Sequence, residues 1–205
     1  MTIGIIDIGV GNLGSIRNML ERIGVKAMAI NDIYGFNSCN KIILPGMGSF
    51  DKCMIALNQS GLREELEYQV QSLKKPFLGI CVGLQMLTRS SEEGVEKGLN
   101  WINGETVRFD RSRLTINEKI PNMGWLDIHF ANKQLLSDNL QDSRFYFAHS
   151  YHVKVDKSEN EWINAYYGYA FVAGVVSGNI YGVQFHPEKS HKFGMQLLKN
   201  FAELT

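Results

Sequence analysis

Short apolar runs alternate with amphipathic stretches in the first third of the chain. Thr2–Asp7, Val25–Ile30 and Lys41–Leu44 are rich in apolar residues, which is typical of buried strands. Between the first two, Ile16–Ile23 carries apolar residues at helical spacing and ends at a glycine, which predicts a helix. A strand, a helix and a second strand in this order form a βαβ unit and therefore a parallel sheet.

The rest of the chain adds further helices and a β-rich region. The segments 49–73 and 191–204 place apolar residues on one helical face. Over 99–184, apolar and polar residues alternate, and turns such as 177–179 separate the runs, which predicts antiparallel strands. The expected fold class is α/β, with an open, mostly parallel central sheet, flanking helices and an antiparallel β-rich extension. We expect residues 1–205 to form one domain.

Composition narrows the class of protein. The 205 residues include 21 basic and 21 acidic side chains, so net charge gives no argument for binding nucleic acid or a membrane surface. No apolar run approaches the length of a membrane span, and the N-terminus has no signal-peptide pattern. Cys39, Cys53 and Cys81 are odd in number and lack metal-site spacing. We therefore expect no disulfide framework, no metal and a cytoplasmic location.

One cysteine lies at a predicted junction between a strand and a helix. Phe77–Ile80 resembles a short buried strand, and the apolar spacing changes to a helical one after Gly83. Cys81 therefore has Gly79 two residues before it and Gly83 two residues after it, which is the layout of a nucleophile elbow. Glycines are needed there because strand and helix approach closely and the backbone of the nucleophile is strained. The following helix N-terminus would favour a thiolate.

A second candidate group lies near the C-terminus. An apolar strand runs into His186, and Pro187 ends the strand directly afterwards. The imidazole would then lie at the same sheet edge as Cys81, with Glu188 able to orient it. Cysteine, histidine and carboxylate together can generate a thiolate and return a proton to a leaving amine. A histidine at a strand end is more often solvated or structural, however, and spacing alone does not choose among the five histidines.

Two glycine-containing turns allow competing interpretations. Gly9, Gly11 and Gly14 spell G-x-G-x-x-G, and Asp32 follows at a distance suited to a ribose. A dinucleotide site is thus formally allowed, although a lone match is weakly specific and a tight turn is favoured. Pro45–Phe50 follows the third strand and could present backbone N–H groups to a ligand at the carboxyl edge of the sheet. A plain turn is the alternative.

The two chemical motifs together resemble the signature of class I glutamine amidotransferases, Gly-Ile-Cys-x-Gly-x-Gln followed by Gln-Phe-His-Pro-Glu. They stand here as Gly79–Gln85 and Gln184–Glu188. Within that family, the chain is most similar to the glutaminase subunits of imidazole glycerol phosphate synthases, over nearly its whole length. The stretches that carry this second similarity are 7–12, 45–50, 124–125, 146–151 and 184–190. The family has a similar glycine turn without binding NAD, which argues against the dinucleotide site.

The resemblance implies a role for each matching residue. Cys81 would attack the side-chain amide of L-glutamine to form a glutamyl thioester, with His186 as general base and then acid and Glu188 orienting it. The oxyanion hole would use the backbone N–H of Val82 and a group from Met47 or Gly48. The residues expected to hold the two ends of glutamine are Gln85, Ser150 and Tyr151. No cofactor is expected.

The resemblance also implies a partner. Ammonia would pass to a separate (β/α)8-barrel cyclase subunit in a heterodimer, which uses it to make imidazole glycerol phosphate and an aminoimidazole carboxamide ribotide in histidine biosynthesis. One departure leaves the acceptor open, because the family usually has Pro-His-Met-Gly-Trp-Asn where this chain has Pro121–Leu126 with Asn122 and Leu126 changed. The alternatives are a paralogue that feeds a sugar amidotransferase for surface polysaccharide, and a subunit that has kept the fold without the activity.

Overall fold

The computed structural model describes residues 1–204, and Thr205, the last residue of the predicted domain, lies outside the described residues. The strands are β1 (Thr2–Ile6), β2 (Lys26–Ile30), β3 (Lys41–Gly46), β4 (Phe77–Cys81), β5 (Gly104–Arg108), β6 (Asn122–Phe130), β7 (Arg144–His149), β8 (Tyr151–Val155), β9 (Glu161–Tyr167), β10 (Tyr169–Ser177) and β11 (Ile180–Val183). The α-helices are α1 (Leu13–Arg22), α2 (Phe50–Gln59), α3 (Arg63–Glu67), α4 (Val82–Gln85) and α5 (His191–Leu204).

The strands join in one sheet whose two halves differ in direction. Its main path runs β2-β1-β3-β4-β11-β10-β9-β6-β7, with β8 paired to β10 and β5 paired to β8. The first five strands of the path are parallel, and every pairing from β10 onward is antiparallel. The predicted α/β class, with a parallel central sheet and an antiparallel extension, is confirmed.

Burial explains why the parallel half forms. All six residues of β3 and all five of β4 are buried, as expected for strands covered on both faces. Helix α1 packs against α5, and α2 packs against α4. The predicted helix from 191 to 204 is confirmed as α5.

Two predicted helices are shorter than the apolar spacing indicated. The single helix predicted over 49–73 is wrong, because α2 ends at Gln59 and Gly61 adopts a left-handed φ of 73° before α3 begins. Ser60 stabilises this break by accepting the Leu62 N–H at 3.1 Å. After α3 the chain continues in a π-helical turn over 68–72.

The helix after Cys81 is also brief. Helix α4 is a single turn, so the dipole of a long helix, which the sequence suggested would favour the thiolate, is not available there. Among residues 1–204, no helix is long and apolar enough to cross a membrane, and no cluster of three His, Cys, Asp or Glu side chains is placed to hold a metal ion.

Candidate active site

Strand register determines the neighbours of Cys81. In the parallel pair β3–β4, Gly46 lies opposite Cys81. In the parallel pair β4–β11, Val183 lies opposite Ile80, so the next residue, Gln184, lies beside Cys81. The cysteine therefore sits at the carboxyl edge of the sheet between two parallel neighbours, where open α/β sheets bind ligands.

The backbone at Cys81 has the strained geometry predicted for a nucleophile elbow. Its φ is 57° and its ψ is −112°, a conformation that costs a non-glycine residue on the order of 1–3 kcal/mol. A Cβ on Gly79 would lie 2.6 Å from the Gly83 carbonyl oxygen, and one on Gly83 would collide with the Leu44 carbonyl oxygen. Both glycines are thus required for the close approach of strand and helix, as the motif indicated.

His186 is held from three directions. Its Nδ1 lies 2.8 Å from Glu188 Oε1, and both side chains are buried. Its backbone N–H donates to the Tyr146 carbonyl at 2.9 Å. Ser190 Oγ donates to the His186 carbonyl at 2.6 Å and accepts the Tyr146 N–H at 3.0 Å. Strand β7 therefore fixes the backbone of the histidine, while Glu188 fixes its ring.

The imidazole of His186 lies close enough to Cys81 for the sulfur to affect its pKa. Burial alone lowers the pKa of His186, but the hydrogen bonds to Cys81 and Glu188, together with the negative charge on both partners, outweigh burial and raise its pKa to about 10. The raised pKa favours the imidazolium form of His186, so that Cys81 is paired with a cationic ring that Glu188 orients. Such a pair supplies both a nucleophile and a proton for a leaving group.

A cavity of about 280 Å³ opens in front of Cys81. Its size suits a small ligand rather than a dinucleotide. The residues that line it are Met47, Gly48, Cys81, Val82, Gln85, Glu93, Pro121, Ala148, His149, Ser150, Tyr151, His186 and Lys189. Every residue singled out from the sequence for catalysis, the oxyanion hole or substrate binding is in this set, except Glu188, which lies behind His186.

Two charged lining residues were not found by sequence reasoning. Glu93 lies in the loop after the elbow, and its Oε2 accepts the Phe50 N–H at 2.7 Å. This hydrogen bond connects the loop to the first residue of α2. Lys189 directly follows Glu188, and its Nζ lies 5.8 Å from the centroid of the Tyr146 ring. The pattern of charges could have suggested both, but only the fold brings them to the same cavity as Cys81.

Gln85 is engaged by the protein rather than free for a ligand. Its Nε2 donates to the Tyr151 carbonyl at 3.2 Å and to Gln184 Oε1 at 3.1 Å. Both amide hydrogens are then used, so any contact of Gln85 with glutamine must come through its Oε1. The predicted substrate role of Gln85 is restricted to accepting a hydrogen bond.

A second buried histidine lines the cavity in a neutral form. His149 Nδ1 lies 2.7 Å from the Tyr151 carbonyl, which only accepts, so Nδ1 carries the hydrogen and Nε2 accepts from Asn122 Nδ2 at 3.1 Å. Burial lowers the pKa of His149 to about 3, and nearby His152 and His186 act in the same direction. His149 is therefore a structural partner of the Tyr151 carbonyl and not a second base.

Asn122, which stands where the family usually has a histidine, is buried in the protein. Asn122 is 1% exposed and its side chain is occupied by His149. In β6 its side chain therefore points into the protein, toward β7. The adjacent Met123 is the exposed residue, at 65%.

The three cysteines have different environments. All are free thiols and buried. Burial raises the pKa of Cys53 to about 11, and its Sγ donates to the Met47 carbonyl at 3.5 Å. Cys53 thus supports the loop that is expected to complete the oxyanion hole. Burial also raises the pKa of Cys39.

A family comparison agrees with this geometry. The sequence model of the protein family described as glutamine amidotransferase class-I matches residues 5–204 of this chain. The chain belongs to the class I glutamine amidotransferases. Among curated members, it is 50% identical to imidazole glycerol phosphate synthase subunit HisH 2 of Methanococcus maripaludis over 97% of this chain and 98% of the relative. It is 46% identical to the subunit HisH 2 of Pseudomonas aeruginosa, over 98% of each chain.

Solved structures share the fold of this amidotransferase at low identity. One is a crystal structure of a glutamine amidotransferase, with a TM-score of 0.75 and 17% identity, covering 98% of this chain and 97% of that chain. Another is the structure of PurLQS from Thermotoga maritima, with a TM-score of 0.75, 18% identity and the same coverage. At these identities the likeness concerns the fold.

The glycine-rich turn after β1 does not have the features of a dinucleotide site. The third glycine of that fingerprint normally allows close packing between helix and strand, but a Cβ on Gly14 would have no atom within 4 Å. Asp32 is occupied in capping the turn at 33–38, since its carboxylate accepts the Gly35 N–H at 2.9 Å. In this class I amidotransferase the three glycines form a tight connection, which was the favoured interpretation.

Proposed function

We propose that this chain is the glutaminase subunit of an imidazole glycerol phosphate synthase. It hydrolyses L-glutamine to glutamate and passes the ammonia to a (β/α)8-barrel cyclase subunit in a heterodimer. There the ammonia is used to form imidazole glycerol phosphate and an aminoimidazole carboxamide ribotide in histidine biosynthesis. The observation that carries the proposal is that Cys81 and His186 line one cavity, with Glu188 paired to the ring of His186 behind it, in a chain 50% identical over 97% of its length to a protein named as such a subunit.

The acylation step begins with the thiolate of Cys81. The sulfur attacks the side-chain carbonyl carbon of glutamine, a C–S bond forms, and the carbonyl oxygen becomes an oxyanion. The C–N bond then breaks as His186 transfers its proton from Nε2 to the leaving nitrogen, which departs as neutral ammonia. Glu188, at 2.8 Å from Nδ1, keeps Nε2 directed at the sulfur and stabilises the imidazolium.

The deacylation step uses the same histidine as a base. Neutral His186 accepts a proton from water, whose oxygen attacks the thioester carbon. The C–S bond breaks, and Cys81 returns to the thiolate with His186 protonated. Glutamate leaves and releases the second proton of the water from its new γ-carboxyl group to solvent. One residue therefore acts first as an acid and then as a base, and the proton balance closes after each turnover.

Backbone donors stabilise the oxyanion in this account. Val82 is the first residue of α4, so its N–H has no carbonyl partner within the helix. The Gly46–Gly48 loop supplies the second donor, and the register that pairs Gly46 with Cys81 brings the loop to the sulfur. Loss of one such donor typically costs about 3–4 kcal/mol of transition-state stabilisation.

Charges at the cavity wall suit the two ends of an amino acid. Glu93 offers a carboxylate for the α-ammonium group, and Lys189 an ammonium for the α-carboxylate. Ser150 and Tyr151 line the same cavity next to them. Glutamine would then bind with its side chain directed at Cys81, which accounts for selection of an amino-acid amide over a simple amide.

The need for a partner follows from the chemistry of ammonia. In water at neutral pH ammonia is mostly protonated, and only the neutral form is a nucleophile, so productive use requires direct transfer. Met47 and Met123 are 43% and 65% exposed, one lining the cavity and the other on β6 opposite Ala148 of the cavity wall. Exposed apolar side chains beside an active site support a docked partner. We further propose that the whole chain forms a single domain. We place the reaction in the cytoplasm, because the thiol of the nucleophile must stay reduced.

The experiment that tests the proposal measures glutamate release by the purified chain, alone and with a candidate cyclase saturated with its ligand. We expect release to rise strongly in the complex and to be lost in His186→Ala. Stimulation by a sugar-amidating partner, with none from a cyclase, would assign the ammonia to polysaccharide synthesis. Absence of glutamate release with every partner would overturn the glutaminase assignment itself.

A further inference from the structure

The side-chain amide of Gln184 is hydrogen-bonded to the sulfur of Cys81. Gln184 is 0% exposed and lies directly after β11. Its Nε2 is 3.7 Å from Cys81 Sγ. We propose that Gln184 stabilises the Cys81 thiolate by donating a side-chain N–H to the sulfur. The inference rests on the proposed function only in taking Cys81 as the nucleophile.

A chain of hydrogen bonds fixes which end of the Gln184 amide faces the sulfur. The Tyr151 carbonyl can only accept, so Gln85 must present its NH₂ group there. The second hydrogen of that NH₂ goes to Gln184, which must then present its carbonyl oxygen, Oε1. The remaining end of the Gln184 amide is its NH₂, and this is the end that reaches Cys81.

This polarity matters for a charged sulfur. An amide with the opposite orientation would direct a partial negative charge at the thiolate and repel it. With the observed orientation, the thiolate accepts from Gln184 on one side and from the His186 imidazolium on the other. A hydrogen bond to a charged acceptor is about twice as strong as a neutral one.

The backbone of Gln184 is positioned for this contact without help from a ligand. Its N–H donates to the Ala173 carbonyl of β10 at 2.8 Å. The parallel pairing of Val183 with Ile80 then brings Gln184 beside Cys81. Gln184 is therefore a preorganised donor, which costs no reordering when the thiolate forms.

Alkylation of Cys81 by iodoacetamide tests the inference independently of turnover. Only the thiolate reacts, so the pH dependence of the rate, read from the Cys81 peptide by mass spectrometry, gives its apparent pKa. In Gln184→Leu we expect the apparent pKa to rise by about one unit, so that the alkylation rate falls about tenfold at pH values below the wild-type pKa. Gln184→Glu keeps an acceptor for Gln85 but directs an oxygen at the sulfur, and it should raise the apparent pKa of Cys81 further. Gln69→Leu, at another buried glutamine, is the matched control and should alkylate as the wild type does.

Glutaminase kinetics supply a second measurement in the presence of the partner. Gln184→Leu should lower kcat about tenfold while KM for glutamine changes less than about threefold. Variants that retain the wild-type thermal midpoint and alkylate with the wild-type pH profile would overturn the inference, as would a rise in KM at unchanged kcat. If the wild type releases no glutamate, the proposed function fails, while the alkylation series still decides the role of Gln184.

Discussion

At the scale of single residues, Cys81 combines a strained backbone with a balanced charge. Its φ of 57° is unfavourable for a side chain, but this conformation directs the sulfur away from the strand and toward the cavity. Burial would by itself disfavour a thiolate. In the mechanism we propose, His186 and Gln184 offset that cost by donating to the sulfur. The proposed nucleophile then depends on two side chains that lie more than one hundred residues away in sequence.

The other buried imidazole makes stability depend on pH in the acid range. The pKa of His149 is lowered from 6.5 to about 3, so the folded state holds fewer protons than the unfolded state between these values. Its contribution is therefore fully present above pH 6.5 and is lost as the pH falls toward 3, with a slope of up to about 1.4 kcal/mol per pH unit. Urea denaturation at pH 7, 6, 5 and 4 should give a shallower slope for His149→Gln than for the wild type.

Exposed His129 offers the control for that measurement. His129→Gln should leave the dependence of the unfolding free energy on pH as in the wild type. Equal slopes in the wild type and in His149→Gln would contradict a buried, neutral His149.

At the scale of elements, close backbone approach explains the elbow, and the chain offers a matched pair of glycines to test it. A Cβ on Gly83 would collide with the Leu44 carbonyl oxygen, whereas one on Gly14 would meet nothing within 4 Å. Gly83→Ala should lower the unfolding free energy by about 2 kcal/mol or more. Gly14→Ala, on the exposed side of α1, should raise it by about 0.5–1 kcal/mol.

Chemical denaturation of both variants checks this prediction through the sign of the change. Stability losses of equal size at the two positions would contradict the role assigned to close packing at the elbow, because both substitutions add the same methyl group.

The connection between β7 and the turn at 187–189 provides a second prediction at this scale. Ser190 Oγ bridges the His186 carbonyl and the Tyr146 N–H. Ser190→Ala should therefore lower the unfolding free energy by about 1–2 kcal/mol and lower kcat by up to about tenfold, since the imidazole loses part of its support. Exposed Ser72→Ala is the control for stability and activity. A Ser190→Ala variant as stable and active as the wild type would contradict the role of Ser190 in holding His186.

Local sequence patterns predicted which helices and strands are present better than they predicted where helices end or which side chains meet inside the protein. The elbow could be found because its glycines and cysteine are adjacent in sequence, and the same holds for His186 and Glu188. The break at Gly61 and the single turn of α4 interrupt runs of apolar residues that continue on the same face, so periodicity missed both. The inward direction of Asn122 depends on how β6 sits between β7 and β9, which no local pattern contains.

At the scale of the whole molecule, the site lies where the two halves of the sheet meet. The parallel half supplies Cys81, the proposed nucleophile, at the end of β4 and the start of the His186 segment at the end of β11. The antiparallel half supplies the Tyr146 backbone that holds His186 and the Tyr151 carbonyl that orients Gln85 and Gln184. The importance of Gln184 could not be predicted, because its contact with Cys81 depends on the order of strands β3-β4-β11.

The arrangement across both halves also explains why one cavity can be coupled to a partner. Met123 on β6 is exposed, while the neighbouring Asn122 reaches His149 and, through the Tyr151 carbonyl, Gln85. A protein docked on this side would contact a strand whose interior face is hydrogen-bonded to the network around the sulfur. Such continuity gives the proposed cyclase a physical route to influence glutamine hydrolysis.

If Cys81 carries a glutamyl group during turnover, that group can be trapped on the enzyme and identified. The chain with its cyclase partner and L-glutamine is quenched in acid within the first turnovers, and its peptides are analysed by mass spectrometry. We predict the mass of one glutamyl group on the Cys81 peptide of the wild type, none on the peptides of Cys39 or Cys53, and neither adduct nor glutamate release from Cys81→Ala. Glutamate release that persists in Cys81→Ala, or a glutamyl adduct on another residue, would contradict the account.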